Sequence, residues 1–181
     1  TWSCFLLSEY PDKLAALHEE LNQVLGDRPP DFGDLGALNY TRAVFLEAMR
    51  LYPPIHTFSR HAIQDDAIGN ADVPAGSIVI VSPWLMHRHR GYWKNPDDFM
   101  PERFLPENDQ GRDKHLYIPF GAGPRICLGA HFAMAEGVLL LAMLAQRFVL
   151  RLRPGHPVMP QALLTLRPRD GMPMRLERRR P

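Results

Sequence analysis

The sequence predicts a mainly α-helical fold with small β-sheets (α+β), and three observations support this class. Apolar residues recur at helical spacing in two segments, and a third segment, residues 130–145, is almost wholly apolar. Between residues 58 and 82, short β-rich pieces alternate with turn residues. With 181 residues, 45% of them hydrophobic and 23% charged, the chain is large enough to bury a sizeable core and matches neither a disordered tail nor a membrane bundle.

The helical predictions follow from start and stop signals. Pro11 and Asp12 can start one helix, and Gly26 is placed to end it. A second helix runs from about Tyr40 to Leu51, because the Pro-Pro pair that follows cannot continue it. The apolar residues 2–7 predict part of another helix, which is too short to span a bilayer and lacks the basic lead-in of a signal peptide.

The remaining elements are short, apart from one long helix. A turn ending at Gly76 precedes a strand from Ile78 to Val81, and residues 83–117 predict a packed meander anchored by aromatic residues. The apolar segment from Ala130 to Ala145 predicts a buried helix. Short strands are then expected at residues 148–152, 162–166 and 174–176.

The near-neutral total charge conceals two oppositely charged regions. The chain has 21 Lys plus Arg against 20 Asp plus Glu, a net charge of +1. Residues 147–181 contain nine Arg against two acidic residues, a local net of 9 − 2 = +7, which leaves 12 − 18 = −6 for residues 1–146. No aromatic residue follows Phe148, so the stacking groups of a single-strand binder are missing from the basic tail. We therefore expect no nucleic-acid partner.

The two cysteines and the histidines narrow the metal chemistry. Two cysteines exclude a four-thiolate zinc site and a disulfide framework, and Cys4, in an apolar helical setting, predicts an inert buried thiol. The close pair His87 and His89 lies among arginines and predicts a surface or supporting position rather than a zinc site. No disulfide is expected, which suits a reducing compartment. A cytoplasmic location is predicted, with a membrane anchor upstream of residue 1 left open.

The densest chemical signal is the loop Phe120 to Gly129, FGAGPRICLG. Its glycines permit positive φ and let the backbone approach a flat ligand. The start of the next helix and Arg125 both favour a thiolate at Cys127, as a metal held from one side requires. The residues alone leave open a second interpretation, in which Cys127 is a small buried residue in a glycine turn.

This loop resembles the haem-binding signature of the cytochrome P-450 haem-thiolate monooxygenases, Phe-x-x-Gly-x-Arg-x-Cys-x-Gly, at every fixed position. The resemblance implies haem b, iron protoporphyrin IX, as the cofactor, with Cys127 as the axial ligand to iron. It implies that Arg125 pairs with a haem propionate, that Phe120 lies against the ligand sulfur and that Ala133 touches the macrocycle. Gly121 and Gly129 belong to the same cofactor-binding loop.

The resemblance assigns roles to two further groups of residues. Glu47 and Arg50 stand three apart on a predicted helix, and the family joins such a pair to an arginine of a later meander, here Arg103. This triad would be a buried structural network that fixes the meander beneath the haem. Arg60 matches a second propionate partner, although a solvated arginine at a strand start explains it too.

Three positions are implied to border the substrate pocket above the haem: Ile55, Thr57 and Leu164. Packing in the core or in turns is an equally good interpretation of these positions from the residues alone. Their chemistry predicts an apolar pocket and does not identify a substrate.

The resemblance covers essentially the whole chain but only the C-terminal part of the family's fold, so residues 1–181 are expected to be a partial domain. The acid and alcohol that deliver protons would lie upstream of residue 1, and no catalytic residue is assigned here. The implied reaction of the parent protein is hydroxylation of a small apolar substrate with O₂ and two electrons from a reductase or ferredoxin. Two alternatives are a hydroperoxide-rearranging enzyme with the same cysteine site and a non-catalytic haem-binding fragment.

Overall fold

The structure is a computed structural model that describes residues 1–179. Helices dominate it, and its strands form small antiparallel two-stranded sheets. The helices are α1 (Trp2–Glu9), α2 (Pro11–Val24), α3 (Asn39–Leu51), α4 (Pro83–Met86) and α5 (Ala130–Arg147). Single 3₁₀ turns lie at Phe32–Gly36, Pro101–Phe104, Lys114–Leu116 and Gly123–Arg125. The predicted α+β class is confirmed. Among residues 1–179, none of the helices is both long and apolar enough to cross a bilayer.

The strands pair as hairpins or close a longer loop. They are β1 (Phe58–His61), β2 (Asp66–Ile68), β3 (Ala71–Val73), β4 (Ile78–Val81), β5 (Phe148–Leu152), β6 (Pro160–Ala162), β7 (Leu166–Pro168) and β8 (Met174–Arg178). β1 pairs with β4 with Phe58 opposite Val81, and β5 pairs with β8 with Phe148 opposite Arg178. β2 pairs with β3, and β6 pairs with β7.

The local signals place the helix ends well. α2 begins at Pro11, and Gly26 adopts the left-handed φ of 55° just beyond its end. α3 ends at Leu51, before the Pro-Pro pair. One strand prediction was wrong, because residues 163–165 form the turn between β6 and β7 instead of the middle of a strand. A short apolar run does not by itself fix the secondary structure, and the two leucines there are exposed in the turn.

The main core lies where α1, α2, α3 and α5 meet. α5 contributes one stripe at helical spacing, Val138, Leu141, Ala142 and Ala145. The prediction that α5 is buried was wrong for its other side, where Phe132 is 72% exposed and Leu140 is 52% exposed. An apolar sequence makes burial favourable, but among the described residues α5 packs on α2, α3, β5 and the 3₁₀ turn at Phe32–Gly36, which leaves these two side chains exposed.

A second core cluster joins α3 to the meander. Ala43, Leu46 and Met49 of α3 pack there with Trp93 and Phe104. Trp93 and Phe104 therefore anchor the irregular path of residues 83–117 against one side of α3, in agreement with the predicted packed meander. This cluster lies beside the polar network described next.

Candidate functional site

The Glu47, Arg50 and Arg103 side chains meet at the junction of α3 and the meander. Arg50 donates from Nε to Glu47 Oε2 at 2.7 Å and from Nη2 to Glu47 Oε1 at 2.8 Å. Arg103 Nε donates to Glu47 Oε1 at 3.3 Å. The first two side chains are fully buried, and that of Arg103 is 11% exposed. The structure thus brings these three residues together in the arrangement that the resemblance implies.

Arg50 binds the meander as well as Glu47. Its Nη1 donates to the carbonyl oxygens of His87 and Pro96, each at 2.7 Å, and its Nη2 donates to that of Asp98 at 3.0 Å. With the two bonds to Glu47, all five N–H groups of the guanidinium have acceptors. A charge that is buried with complete hydrogen bonding is tolerated, and it fixes the three carbonyl groups that it holds.

Of the two positions predicted for His87, at the surface or in a supporting role, the surface position was wrong. Its side chain is fully buried instead of lying at the surface, and its Nε2 accepts the backbone N–H of Ile118 at 2.9 Å. Burial, reinforced by the nearby Arg50 charge, lowers the pKa of His87 to about 3. The sequence carries no signal for this burial, since His87 and the exposed His89 both alternate with arginines.

The predicted thiol loop lies between the meander and α5. Gly121 and Gly123 have φ values of 75° and 71°, which a residue with a side chain rarely adopts. The loop closes on itself because Cys127 N–H donates to the carbonyl of Phe120 at 2.9 Å. Cys127 is exposed, so the interpretation of Cys127 as a buried packing residue was wrong. Its thiol is held by a tight backbone turn and not by surrounding side chains.

One cavity of about 360 Å³ brings together six of the predicted residues: Ile55, Arg60, Phe120, Gly121, Arg125 and Cys127. They come from the segment after α3, from β1 and from the thiol loop. Two guanidinium groups and one thiol therefore share a cavity whose other walls are largely apolar. Residues that the sequence interpretation missed complete those walls: Pro54, Phe58, Pro83, Ile118 and Pro119.

The signal for one of the missed residues was available. Phe58 and Arg60 lie two apart on β1, and alternate residues of a strand point to the same side. Arg60 Cζ lies 5.0 Å from the centre of the Phe58 ring. Ile118 carries no such signal, because it belongs to irregular backbone between two predicted features.

The other predicted site residues do not line this cavity. Gly129 is near the thiol, since a Cβ added to it would lie 4.0 Å from Cys127 Sγ. Ala133 is half-buried within α5. Thr57 is exposed and its hydroxyl lies 3.2 Å from His56 Nδ1, while Leu164 is 90% exposed in the β6–β7 turn.

The β6–β7 turn is nonetheless tied to the segment that contains Ile55 and Thr57. His56 Nε2 lies 2.9 Å from the carbonyl oxygen of Leu163, and Leu166 N–H donates to the Pro54 carbonyl at 2.8 Å. These long-range bonds place the exposed Leu164 next to the cavity-lining segment.

The other cysteine has no comparable surroundings. Cys4 is half-buried in α1 instead of fully buried, and both cysteines are free thiols. Cys4 therefore offers a matched control for experiments on the Cys127 thiol.

The comparison with known proteins agrees with these features. The family model described as Cytochrome P450 matches residues 1–173. This chain belongs to the cytochrome P450 family. It is 40% identical over 166 residues to cyclooctatin synthase of Streptomyces melanosporofaciens, covering 92% of this chain and 36% of that protein. It is 36% identical over 181 residues to human cytochrome P450 4V2, covering 98% of this chain and 34% of that protein.

Solved structures show the same relationship. A crystal structure of the cytochrome P450DA heme domain superimposes with a TM-score of 0.92 at 31% identity, covering 99% of this chain and 40% of that chain. The chain therefore spans about a third of the length of these curated relatives. The cytochrome P450 fold predicted from the loop signature is confirmed, and the family implies a haem cofactor.

The residues of the cavity fit a haem group. Haem presents an iron that takes a thiolate ligand, two carboxylates and a flat apolar face. The cavity offers one thiol at Cys127, guanidinium groups at Arg60 and Arg125, and apolar walls that include Phe58 and Phe120. Among the described residues, neither arginine forms an ion pair within the chain, which leaves both charges free for the carboxylates.

Proposed function

We propose that this chain contributes the thiolate-bearing part of a haem-thiolate monooxygenase. The substrate would be a small apolar organic molecule, hydroxylated with O₂ and two electrons from a reductase or ferredoxin. The observation that carries the proposal is the single cavity shared by Cys127, Arg60 and Arg125. On this proposal residues 1–181 are part of a larger haem domain, and a cytoplasmic location stays a prediction.

The residues in and around the cavity would each have a separate role in binding haem. Cys127 would hold the iron, and Arg60 and Arg125 would neutralise the two propionates. Phe120 and Gly121 would form the loop surface beside the ligand sulfur, while Gly129 and Ala133 would support its helical side. Haem b, when bound, supplies O₂ activation, and a thiolate ligand donates the electron density that favours O–O cleavage.

The substrate side is defined by fewer contacts. Ile55 lines the cavity, so an apolar group is the best match for this position. Thr57 and Leu164 would reach the substrate only beyond the present cavity wall, where the His56–Leu163 bond holds their two segments together. No described residue is assigned to proton delivery, so the chemical step is not divided among the residues of this chain.

The test is the carbon monoxide difference spectrum of the full chain after it is loaded with haem and reduced. We expect the red-shifted Soret band of a thiolate-ligated haem in the wild type and in Cys4→Ser. We expect Cys127→Ser to lose that band. If the wild type takes up haem but lacks the thiolate band, the monooxygenase assignment fails and a non-catalytic haem-binding chain is favoured.

A second measurement separates the two enzyme classes. The haem-loaded chain is given a fatty-acid hydroperoxide with no electron donor, and the products are identified. Rearrangement without a reductant would favour the hydroperoxide-rearranging alternative. Product formation from an apolar substrate only when a reductase or ferredoxin and O₂ are present would support the monooxygenase.

A further inference from the structure

His87 connects the buried charge network to the wall of the thiol cavity. Its carbonyl oxygen accepts from Arg50 Nη1 at 2.7 Å, and its side-chain Nε2 accepts the N–H of Ile118 at 2.9 Å. Ile118 lines the same cavity as Cys127. His87 therefore forms hydrogen bonds both with the network that fixes the meander and with the irregular backbone segment that leads into the thiol loop.

The hydrogen bonds define the state of the His87 ring. A backbone N–H can only donate, so Nε2 must present a lone pair and the ring proton lies on Nδ1. Within residues 1–179, this Nδ1 has no hydrogen-bond partner and is buried. The groups around the ring are the guanidinium groups of Arg50 and Arg88 and the rings of Trp93 and Tyr117. Burial and the Arg50 charge disfavour a charged ring and outweigh the Arg50 backbone, which favours it, so His87 acts as a neutral acceptor.

The link continues from Ile118 to the thiol. The carbonyl of Ile118 accepts the N–H of Gly121 at 3.0 Å, and the carbonyl of Phe120 accepts the N–H of Cys127 at 2.9 Å. Ile118 is therefore held from both sides, by His87 at its N–H and by the loop at its carbonyl. A shift of its backbone would change where the loop carries Cys127.

We propose that His87 is a positioning residue, which holds the backbone of residues 118–127 so that the Cys127 thiol faces the cavity. It does so through Ile118 and contacts neither the thiol nor the cavity itself. The inference rests on the proposed function in one respect: haem is the ligand that the Cys127 thiol would face in the cavity. The backbone restraint exists whether or not haem binds.

The alternative is that His87 adds only general stability as a buried aromatic ring. Removing its acceptor would leave the Ile118 N–H buried without a partner, which costs stability under either view. Only the positioning role predicts that the effect travels along the loop to Gly121 and Cys127. It also predicts that a different acceptor at the same place restores the effect.

The experiment compares three variants of the full chain. His87→Leu fills similar space without an acceptor, and His87→Gln places an amide oxygen where it can accept the Ile118 N–H. Tyr117→Phe is the control, because Tyr117 donates a part-buried hydrogen bond of similar length, 2.8 Å, to the carbonyl of Leu46 on α3. It belongs to the same aromatic cluster and leaves the His87 bond in place.

Two readouts are used, and the first needs no haem. Amide hydrogen exchange is measured at Ile118, Gly121 and Cys127 in the chain without cofactor. Exchange in His87→Leu should rise about tenfold at all three amides, which corresponds to about 1.4 kcal/mol of lost restraint. His87→Gln should stay within about threefold of the wild type, a spread typical of a hydrogen bond that is retained with altered geometry. Tyr117→Phe should lower the urea midpoint without this local change.

The second readout is the fraction of bound haem that gives the thiolate Soret band. It should fall in His87→Leu and recover in His87→Gln. The inference is overturned if His87→Leu leaves exchange at Gly121 and Cys127 unchanged, or if Tyr117→Phe raises it equally. Should His87→Leu fail to fold, His87→Asn, whose shorter amide cannot reach Ile118, takes its place, and identical exchange in the Asn and Gln variants overturns the inference.

The exchange result also separates this inference from the proposed function. Faster exchange in His87→Leu, combined with a wild type that shows no thiolate band, would leave the positioning role standing and remove the monooxygenase assignment.

Discussion

The Glu47–Arg50–Arg103 network and the thiol cavity differ in how completely their polar groups are satisfied. In the Glu47–Arg50–Arg103 network, every N–H of Arg50 has an acceptor, and Arg50 and Glu47 are sealed from solvent. In the thiol cavity, Cys127 and both arginines are exposed. The supporting network is thus satisfied within this chain, whereas on the proposed function a ligand would satisfy the three groups of the cavity.

The largest effect is expected for Arg50→Ala. It removes five hydrogen bonds and leaves the Glu47 carboxylate buried, with only Arg103 and the Met100 N–H as partners among residues 1–179. Breaking a buried ion pair from one side costs about 3–5 kcal/mol, so the free energy of unfolding should fall by that amount. Haem incorporation should be abolished. Urea denaturation and the carbon monoxide difference spectrum measure the two effects.

The control for this variant is Arg151→Ala. Arg151 forms an ion pair of 3.2 Å with Glu177 in which both side chains are exposed, so its loss should cost less than about 1 kcal/mol. An Arg50→Ala protein that unfolds at the wild-type urea concentration and keeps the thiolate band would contradict the assignment of the network.

The next largest effect is expected from acid, because two histidines are held neutral by the fold. The folded state lowers the pKa of His87 to about 3 and that of His18 to about 4, in both cases first through burial. In the unfolded chain histidine takes up its proton near pH 6.5, so the unfolded state binds more protons between these limits. The part of the free energy of unfolding that depends on these two neutral rings is therefore fully present above about pH 6.5 and is lost as the pH falls toward 3.

The expected slope is up to about 1.4 kcal/mol per pH unit for each histidine within its window. Urea midpoints at pH 7.5, 6.0 and 5.0 measure it. His18→Gln should flatten the slope between pH 6.5 and 4, and His87→Gln should flatten it further. A midpoint that does not change between pH 7.5 and 5.0 would show that neither histidine is held neutral by the fold.

A smaller effect is expected where α3 meets α5. A Cβ added to Gly137 would lie 2.2 Å from Cζ of Phe45, a residue that packs against both core clusters. Gly137→Ala gains about 1 kcal/mol of helix propensity, but overpacking costs about 1–3 kcal/mol, so a net loss of about 1 kcal/mol is expected. Thermal denaturation measures it. Gly36→Ala, where the added Cβ meets nothing within 4 Å, is the control, and a stabilised Gly137→Ala protein would contradict this packing.

Some features of the fold could be predicted from the sequence, but the role of Gly137 could not. The apolar period and the proline and glycine signals predicted α2, α3 and the strand β4, because these elements depend on neighbouring residues. The loop signature predicted four of the residues that line the thiol cavity, Phe120, Gly121, Arg125 and Cys127. The burial of His87 was not predictable, because it depends on distant segments that pack against it. The exposure of one side of α5 was not predictable either, because it depends on which distant segments pack against that helix. The glycine that interrupts α5 is likewise explained only by the approach of Phe45 from α3.

The smallest effect on stability is expected at the residue that matters most to the proposed function. Cys127 is exposed and is held by its backbone, so Cys127→Ala should change the free energy of unfolding by no more than about 0.5 kcal/mol. Cys4→Ala, at a half-buried site in α1, should cost more. Urea denaturation of both variants without haem measures this difference. A large loss in Cys127→Ala would mean that the thiol packs as part of the core. A negligible loss, together with a missing thiolate band, would show that the chain keeps this side chain for a ligand and not for its own fold.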